Sequence, residues 1–346
     1  MKAAVLGAGS WGTALANILA QNGHETTIWG RDKQVVEGMN THRENSRYLP
    51  GAALSSALLA SDDLSVAVAG AELVLLSVPS RAVPELLHEA LPYISSSALV
   101  AHAVKGFIRP DNQRISEYIA SRLEHPDKRL AVISGPSHAE EVIRQVPTTV
   151  VVASKSQSTA ELVQDALMNA TFRVYTQADI VGVELGGTLK NIIALGVGMA
   201  DGLGLGDNTK AALMTRGLAE MTRLGIALGA SPLTFSGLAG IGDLIVTCTS
   251  THSRNFRAGR LLATGLSLEE TLARIGMAVE GVGTTFAAFD LAQGVGVELP
   301  ITAVLKQVLE GVCSAEEAVC KLMQRDKSHE MEDVGQPIIA HQWQYP

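Results

Sequence analysis

Ala3-Ala4-Val5-Leu6-Gly7-Ala8-Gly9-Ser10-Trp11-Gly12 runs directly into a helical pattern over 11–22. A short β-branched and apolar strand, a glycine-rich turn and a helix follow one another without a break. That context gives a G-x-G-x-x-G its meaning. Gly7 permits a tight turn, Gly9 lets backbone approach a pyrophosphate, and Gly12 allows the helix to pack close to the strand. The helix N-terminus then faces the phosphates with free N–H groups.

Working outward, short strands are expected at 3–6, 26–29, 73–78, 98–103, 130–133, 148–152 and 172–175. Helical patterns lie between most of them, at 11–22, 33–45, 82–90, 113–123 and 157–169. Such alternation implies βαβ units and a mainly parallel sheet. From about 179 the strand signal stops. Helical periods follow at 179–200, 208–229, 256–264, 268–275, 281–293, 300–310 and 315–324, punctuated by Gly229, Pro232, Gly265, Gly276, Gly294 and Pro300.

The chain has 346 residues, enough for two domains, and 47% of them are hydrophobic, enough for a sizeable core. Its net charge of −8 argues against an electrostatic grip on nucleic acid or an anionic membrane. The three cysteines, Cys248, Cys313 and Cys320, form no CxxC pair. That pattern fits a reducing, cytoplasmic compartment. The spacing of Cys313 and Cys320 reads as one helix face. The N-terminus begins with a strand rather than a targeting segment. The apolar run Ile192–Ala200 is short for a membrane span.

Between Glu184 and Asp201 the only charge is Lys190, set in apolar, glycine-rich sequence. A buried lysine loses affinity for its proton, which suits it to proton transfer near neutral pH. Asp243, in Gly240-Ile241-Gly242-Asp243, is suited to orient that lysine. Ser253-Arg254-Asn255 follows, with a fork and an amide suited to phosphate oxygens. Periodicity alone reads 240–255 as a solvated loop.

Lys105 lies just past a strand end, where ligands bind in open parallel sheets. Ser134-Gly135-Pro136-Ser137-His138 also follows a strand, and Ser137 suits a helix cap. His138 has no paired carboxylate beside it to orient it as a general acid. His138-Ala139-Glu140-Glu141 is not a zinc motif, and no metal is implied. The second strand ends at Trp29-Gly30-Arg31-Asp32. Arg31, with Arg43 or Arg47 near it, favours the 2′-phosphate of NADP, while Asp32 keeps NAD open.

Together these segments resemble the bacterial NAD(P)-dependent glycerol-3-phosphate dehydrogenases. The likeness runs through GAGSWGTALA, ISGPSHAEEV, the block from Glu184 to Met221, GLAGIGDLIVTCTSTHSRN and AVEGVGTT, over about residues 3–327. It implies reduction of dihydroxyacetone phosphate to sn-glycerol 3-phosphate, a phospholipid precursor. By this resemblance Lys190 is the acid/base residue. Lys105, Gly135, Ser137, Asp243, Ser253, Arg254 and Asn255 complete the substrate pocket. Ser10, Trp11, Arg31, Tyr48, Lys105, Ala139, Arg254, Val279 and Glu280 join Gly7, Gly9 and Gly12 at the cofactor. In related enzymes the position of His138 can hold phenylalanine. A cytoplasmic homodimer is also implied, while Arg31 points to NADPH in preference to NADH and the short apolar run to no membrane insertion.

The fold expected is α/β. A Rossmann-type doubly wound sheet over 1–178 precedes an all-helical substrate and catalytic domain over 179–328, with a loose tail over 329–346. Two rivals stand beside this reading. One is another two-domain dehydrogenase, of the ketopantoate-reductase or β-hydroxyacid type. The other is a non-catalytic NADPH-binding sensor.

Overall fold

In the computed structural model, which describes residues 1–327, β1 (Lys2–Leu6) is almost wholly buried and ends in the Gly7–Gly9 turn that starts α1 (Ser10–Gln21). The loose tail expected over 329–346 lies outside the described residues. β2 (Glu25–Trp29) pairs parallel with β1, and α2 (Lys33–Thr41) follows. Asp32 caps α2 by accepting from the Gln34 and Val35 N–H groups at 3.0 and 3.4 Å.

The helix expected to reach residue 45 stops at Thr41. Arg43 adopts φ 54°, and β3 (Glu44–Asn45) turns back to pair with β4 (Leu49–Ala53). This ribbon is fastened over the glycine turn. Asn45 donates to the Ala8 carbonyl at 3.0 Å and to Thr13 Oγ1 at 2.8 Å.

β5 (Leu58–Ser61), unanticipated in the sequence, pairs parallel with β2. It leads to α3 (Leu64–Val68), β6 (Leu73–Leu76), α4 (Val83–Ala90) and β7 (Leu99–His102). The antiparallel pair β8 (Phe107–Ile108) and β9 (Gln113–Arg114) shortens the next expected helix to α5 (Ile115–Ala120). Then come β10 (Leu130–Ser134), α6 (Ala139–Val142), β11 (Thr148–Ala153), α7 (Gln157–Leu167) and β12 (Phe172–Gln177).

The main sheet has eight strands in the order β12-β11-β10-β7-β6-β1-β2-β5, parallel except where β11 meets β10. Strand order reverses at β1, so the chain is doubly wound in the Rossmann manner. The parallel strands β1, β6, β7 and β10 all end at one edge. The turns carrying Gly7, Ser80, Lys105 and Gly135 therefore crowd together there.

After β12, every element among the described residues is helical. α8 (Ile180–Gly202) is followed by α9 (Asp207–Ala227), α10 (Pro232–Phe235), a π turn over Leu238–Gly242, α11 (Asp243–Thr249) and α12 (Arg254–Leu262). α13 (Leu268–Ile275), α14 (Glu280–Val295), α15 (Pro300–Leu309) and α16 (Ala315–Met323) complete it. The segment 240–255, read from periodicity as a solvated loop, is thus largely helical, with Asp243, Thr247, Ser253 and Asn255 buried. Cys313 lies before Ser314, the residue that caps α16, so it does not share a helix face with Cys320.

α8 is the axis of this half. It is buried nearly throughout, and its apolar side chains pack against α9, α11, α12 and α14. By length and composition it could span a membrane, as could the stretch Pro232–Thr249. The nine-residue run seen in the sequence therefore understated it. Its most apolar window is 89% buried inside the protein, so its apolar surface forms core.

Candidate active site

The centre of the site is one carboxylate shared by two ammonium groups. Lys190, in the middle of α8, donates to Asp243 Oδ1, and Lys105 donates to Asp243 Oδ2 at 2.8 Å. Asp243 is the first residue of α11, and Lys105 comes from the turn after β7. A second Lys190 N–H reaches Thr247 Oγ1 at 2.5 Å, and the Thr247 hydroxyl donates to the Asp243 carbonyl at 2.6 Å. Sequence reasoning missed Thr247. It lies one turn beyond Asp243 on the same helix face, a signal legible only once 243–249 is read as helical.

Lys190 and Asp243 are 4% and 1% exposed, whereas Lys105 is only partly buried. Burial pushes the Lys190 ammonium down to about 7. Asp243 opposes that shift, and Lys105, a like charge, adds to it. A lysine in this state gives and takes a proton near neutral pH.

The neighbouring turns close around the group. Gly106 N–H donates to Thr188 Oγ1 of α8 at 3.0 Å, fixing the Lys105 turn against the helix. The hydroxyl of Ser137 donates to the Gly135 carbonyl at 2.9 Å, so Ser137 sits folded on its own turn. His138, not Ser137, occupies the position before α6, and no side-chain bond caps that helix. Ser253 caps α12 by accepting from Phe256 N–H at 3.2 Å.

Arg254 is the first residue of α12 and is partly buried. Burial lowers the pKa of its guanidinium, against the pull of Glu280. Asn255 is committed on both sides of its amide. It donates to Asn191 Oδ1 at 2.9 Å and accepts from Gly281 N–H at 2.9 Å, which leaves one N–H for a ligand. Glu280 accepts from Ser80 N–H at 3.2 Å and Ser80 Oγ–H at 2.9 Å, and burial raises its pKa. Val279 and Ala139 are buried at the starts of α14 and α6. Asn191 and Ser80 also escaped the sequence reading.

The glycine turn has the shape a dinucleotide needs. A Cβ on Gly12 would lie 1.9 Å from the Gly7 carbonyl oxygen, so helix and turn meet there without room for a side chain. A Cβ on Gly9 would meet nothing within 4 Å, which leaves open space in front of that peptide. No side chain caps α1, so its first-turn N–H groups face that space. Ser10 is held by its bond to the Tyr48 carbonyl at 2.9 Å, and Trp11 packs toward Phe172 with ring centroids 6.3 Å apart.

At the tip of β2, Arg31 is exposed with Glu85 3.5 Å away. Arg43 turns inward to the Leu58 carbonyl at 2.8 Å. Arg47 pairs with Asp32 at 2.5 Å and lies over the Tyr48 ring. Among the described residues no group of three or more His, Cys, Asp or Glu is arranged to hold a metal ion.

The sequence pattern of the family described as NAD-dependent glycerol-3-phosphate dehydrogenase matches in both parts, the N-terminus over residues 2–160 and the C-terminus over 179–320. The chain is 55% identical over 335 residues to the glycerol-3-phosphate dehydrogenase [NAD(P)+] of Bacillus velezensis, covering 96% of this chain and 97% of that one. It is 54% identical to the Bacillus cereus protein of the same name, covering 96% and 98% of the two chains. The crystal structure of glycerol-3-phosphate dehydrogenase from Coxiella burnetii is similar at a TM-score of 0.89 and 39% identity, covering 94% of this chain and 99% of that one.

Proposed function

The chain belongs to the NAD-dependent glycerol-3-phosphate dehydrogenase family, and from that premise we propose how its residues divide the work. The reaction is the reversible reduction of dihydroxyacetone phosphate to sn-glycerol 3-phosphate with NAD(P)H. Lys190 is the acid/base residue. The observation that carries this assignment is its buried ammonium, held between Asp243 and Thr247 with a pKa near 7.

Gly7, Gly9 and Gly12, at the uncapped start of α1 with Ser10 and Trp11, would hold the cofactor's pyrophosphate. Tyr48, Arg31, Ala139, Val279 and Glu280 border the rest of it. When bound, the reduced nicotinamide supplies the hydride that adds to the ketone carbon. Arg254 holds the substrate phosphate, with Asn255, Ser253, Ser137 and Gly135 around it. That grip, remote from the reacting carbon, fixes the carbonyl in place. Lys190 then gives one proton to the carbonyl oxygen as negative charge develops there. Asp243 keeps the ammonium charged until that moment, and Lys105 adds positive charge on the open side. In the reverse direction neutral Lys190 takes the hydroxyl proton.

Residues 1–178 form the nucleotide-binding domain and 179–328 the substrate and catalytic domain. NADPH is preferred, through Arg31. The protein is a cytoplasmic homodimer that does not insert into membranes, and its net charge of −8 supports the further reading that it does not grip nucleic acid. Its product feeds glycerophospholipid synthesis.

The test is the purified protein with NADPH and dihydroxyacetone phosphate, followed by nicotinamide absorbance. NADPH is oxidised with the phosphorylated ketone and spared with unphosphorylated dihydroxyacetone. Equal rates with both would overturn the phosphate assignment. NADPH binding without turnover would favour the sensor.

A further inference from the structure

Helix α11 matters because it carries both groups that grip Lys190: Asp243 at its first residue and Thr247 one turn on. A helix this short leaves its last carbonyls without intrahelical donors. Ser250 departs with extended backbone, φ −98° and ψ 136°, and contributes no backbone capping bond among the described residues. The Val246 carbonyl is met instead by a side chain from the other half of the protein. His138 Nε2 lies 3.3 Å from it. A carbonyl only accepts, so that ring nitrogen carries the proton and donates.

His138 stands at the end of the β10–α6 turn, between Ser137 and Ala139. Its ring also leans on His252, with centroids 5.8 Å apart, in the turn that leads from α11 to Ser253 and Arg254. The ring is thus lodged between the end of α11 and the start of the phosphate-binding segment. Neither group has a role in the proton transfer described above.

We propose that His138 is a positioning residue, a side-chain cap carried by the sheet half that fixes α11 and so sets Asp243 and Thr247 on Lys190. The groups acting on His138 are Lys190 of α8, Lys105 of the turn after β7, Glu140 on α6 and His252 on the turn after α11. Burial, with the two lysines, keeps the ring neutral at neutral pH. Both neutral and protonated rings carry the Nε2 proton in this geometry, so titration does not open the cap. The consequence appears in the proton affinity of Lys190, which depends on how closely Asp243 approaches.

The inference rests on the Lys190 reading, and Lys190→Ala tests that reading separately: full activity there would remove it whatever His138 does. The experiment on the cap itself compares H138F with H138Q. Phenylalanine keeps a ring and removes the donor, whereas glutamine keeps an N–H of similar reach. Loss of one such bond is on the order of a three- to tenfold effect. H138F is expected to lower kcat for ketone reduction by about that factor, with the KM for NADPH unchanged. It also moves the pH at which kcat/KM falls. H138Q restores both. A wild-type kcat and pH midpoint in H138F would overturn the proposal, as would an H138Q enzyme no better than H138F. Should H138F fail to fold, H138Q decides alone: a wild-type midpoint supports the cap and a shifted one overturns it.

Discussion

Gly198 of α8 and Gly259 of α12 meet backbone to backbone: a Cβ on Gly259 would stand 3.0 Å from the Gly198 carbonyl carbon and 2.1 Å from the Leu195 carbonyl oxygen. A Cβ on Gly198 would lie 2.1 Å from the Phe256 carbonyl oxygen. α8 carries Lys190 and α12 begins at Arg254, so this crossing sets the proposed acid/base residue against the proposed phosphate-binding arginine. Gly198→Ala is expected to cost about 1–3 kcal/mol, as overpacking does. Because the helices must part, the KM for dihydroxyacetone phosphate rises more than the KM for NADPH. Denaturant unfolding and steady-state kinetics read the two effects. Native values in both would mean the crossing is loose.

The shared carboxylate supports a sharper expectation. In Asp243→Asn, Lys190 and Lys105 face each other with no anion between them. The pKa of Lys190 then falls below 7, and at neutral pH it is mostly neutral. Ketone reduction loses about 10²–10⁴ in kcat, the range for loss of a positioned acid. Glycerol 3-phosphate oxidation, which needs neutral lysine, suffers less. Equal losses in the two directions would show that Asp243 acts on geometry alone.

The same titration fixes the pH dependence of the native enzyme. The protonated fraction of Lys190 falls as pH rises through about 7. Reduction uses that form, so its kcat/KM declines above neutrality. Oxidation uses the neutral form and rises over the same interval. In Lys190→Ala both limbs vanish, along with most of kcat. A reduction rate that climbs from pH 7 to pH 9 would contradict the assignment.

Arg254 offers a test of substrate anchoring. Its partly buried guanidinium is drawn toward Glu280 without a direct ion pair between the two, and it opens α12 where N–H groups also favour an anion. Arg254→Ala is expected to raise the KM for dihydroxyacetone phosphate and also lower kcat, since phosphate binding positions the ketone. Arg254→Lys restores charge without the fork and recovers only part of the loss. Unchanged constants in the alanine variant would place the phosphate elsewhere.

What the sequence alone reveals varies with the range of the interaction. The strand, glycine turn and helix at 3–22 are local, each fixed by its own residues, and were legible. So was the switch to helices after 179, which rests on periodicity. β5 over Leu58–Ser61 is short and exists because β2 offers it an edge. The ribbon at 44–53 depends on Asn45 reaching Ala8. α11 was hidden because Gly240 and Gly242 look like loop glycines, whereas a Cβ on Gly240 would lie 2.1 Å from the Phe235 carbonyl oxygen in a tight π turn. Lys190 was legible as a lone charge in apolar sequence. Its meeting with Asp243, across 53 positions, and with Lys105 depends on tertiary packing that spacing does not encode.

The proposed preference for NADPH rests on Arg31. Of the basic residues near the tip of β2, Arg43 is spent on the Leu58 carbonyl and Arg47 on Asp32, while Asp32 itself caps α2. Asp32 is therefore engaged in holding the helix rather than presented to a ribose. Arg31 is exposed, and its ion-pair partner among the described residues is the exposed Glu85 at 3.5 Å, a pairing worth little in water. Its guanidinium is thus readily drawn to a 2′-phosphate, which adds charge-assisted hydrogen bonds of about 1.5–3 kcal/mol. Arg31→Ala is expected to raise the KM for NADPH by roughly ten- to a hundredfold, the kinetic equivalent of that energy, and to leave the KM for NADH nearly as it was. Because Asp32 and Arg47 keep their pairing, the variant retains α2 and its thermal stability. Parallel loss with NADH and NADPH would locate Arg31 at the shared part of the cofactor. No loss with either would assign NADPH preference to another residue.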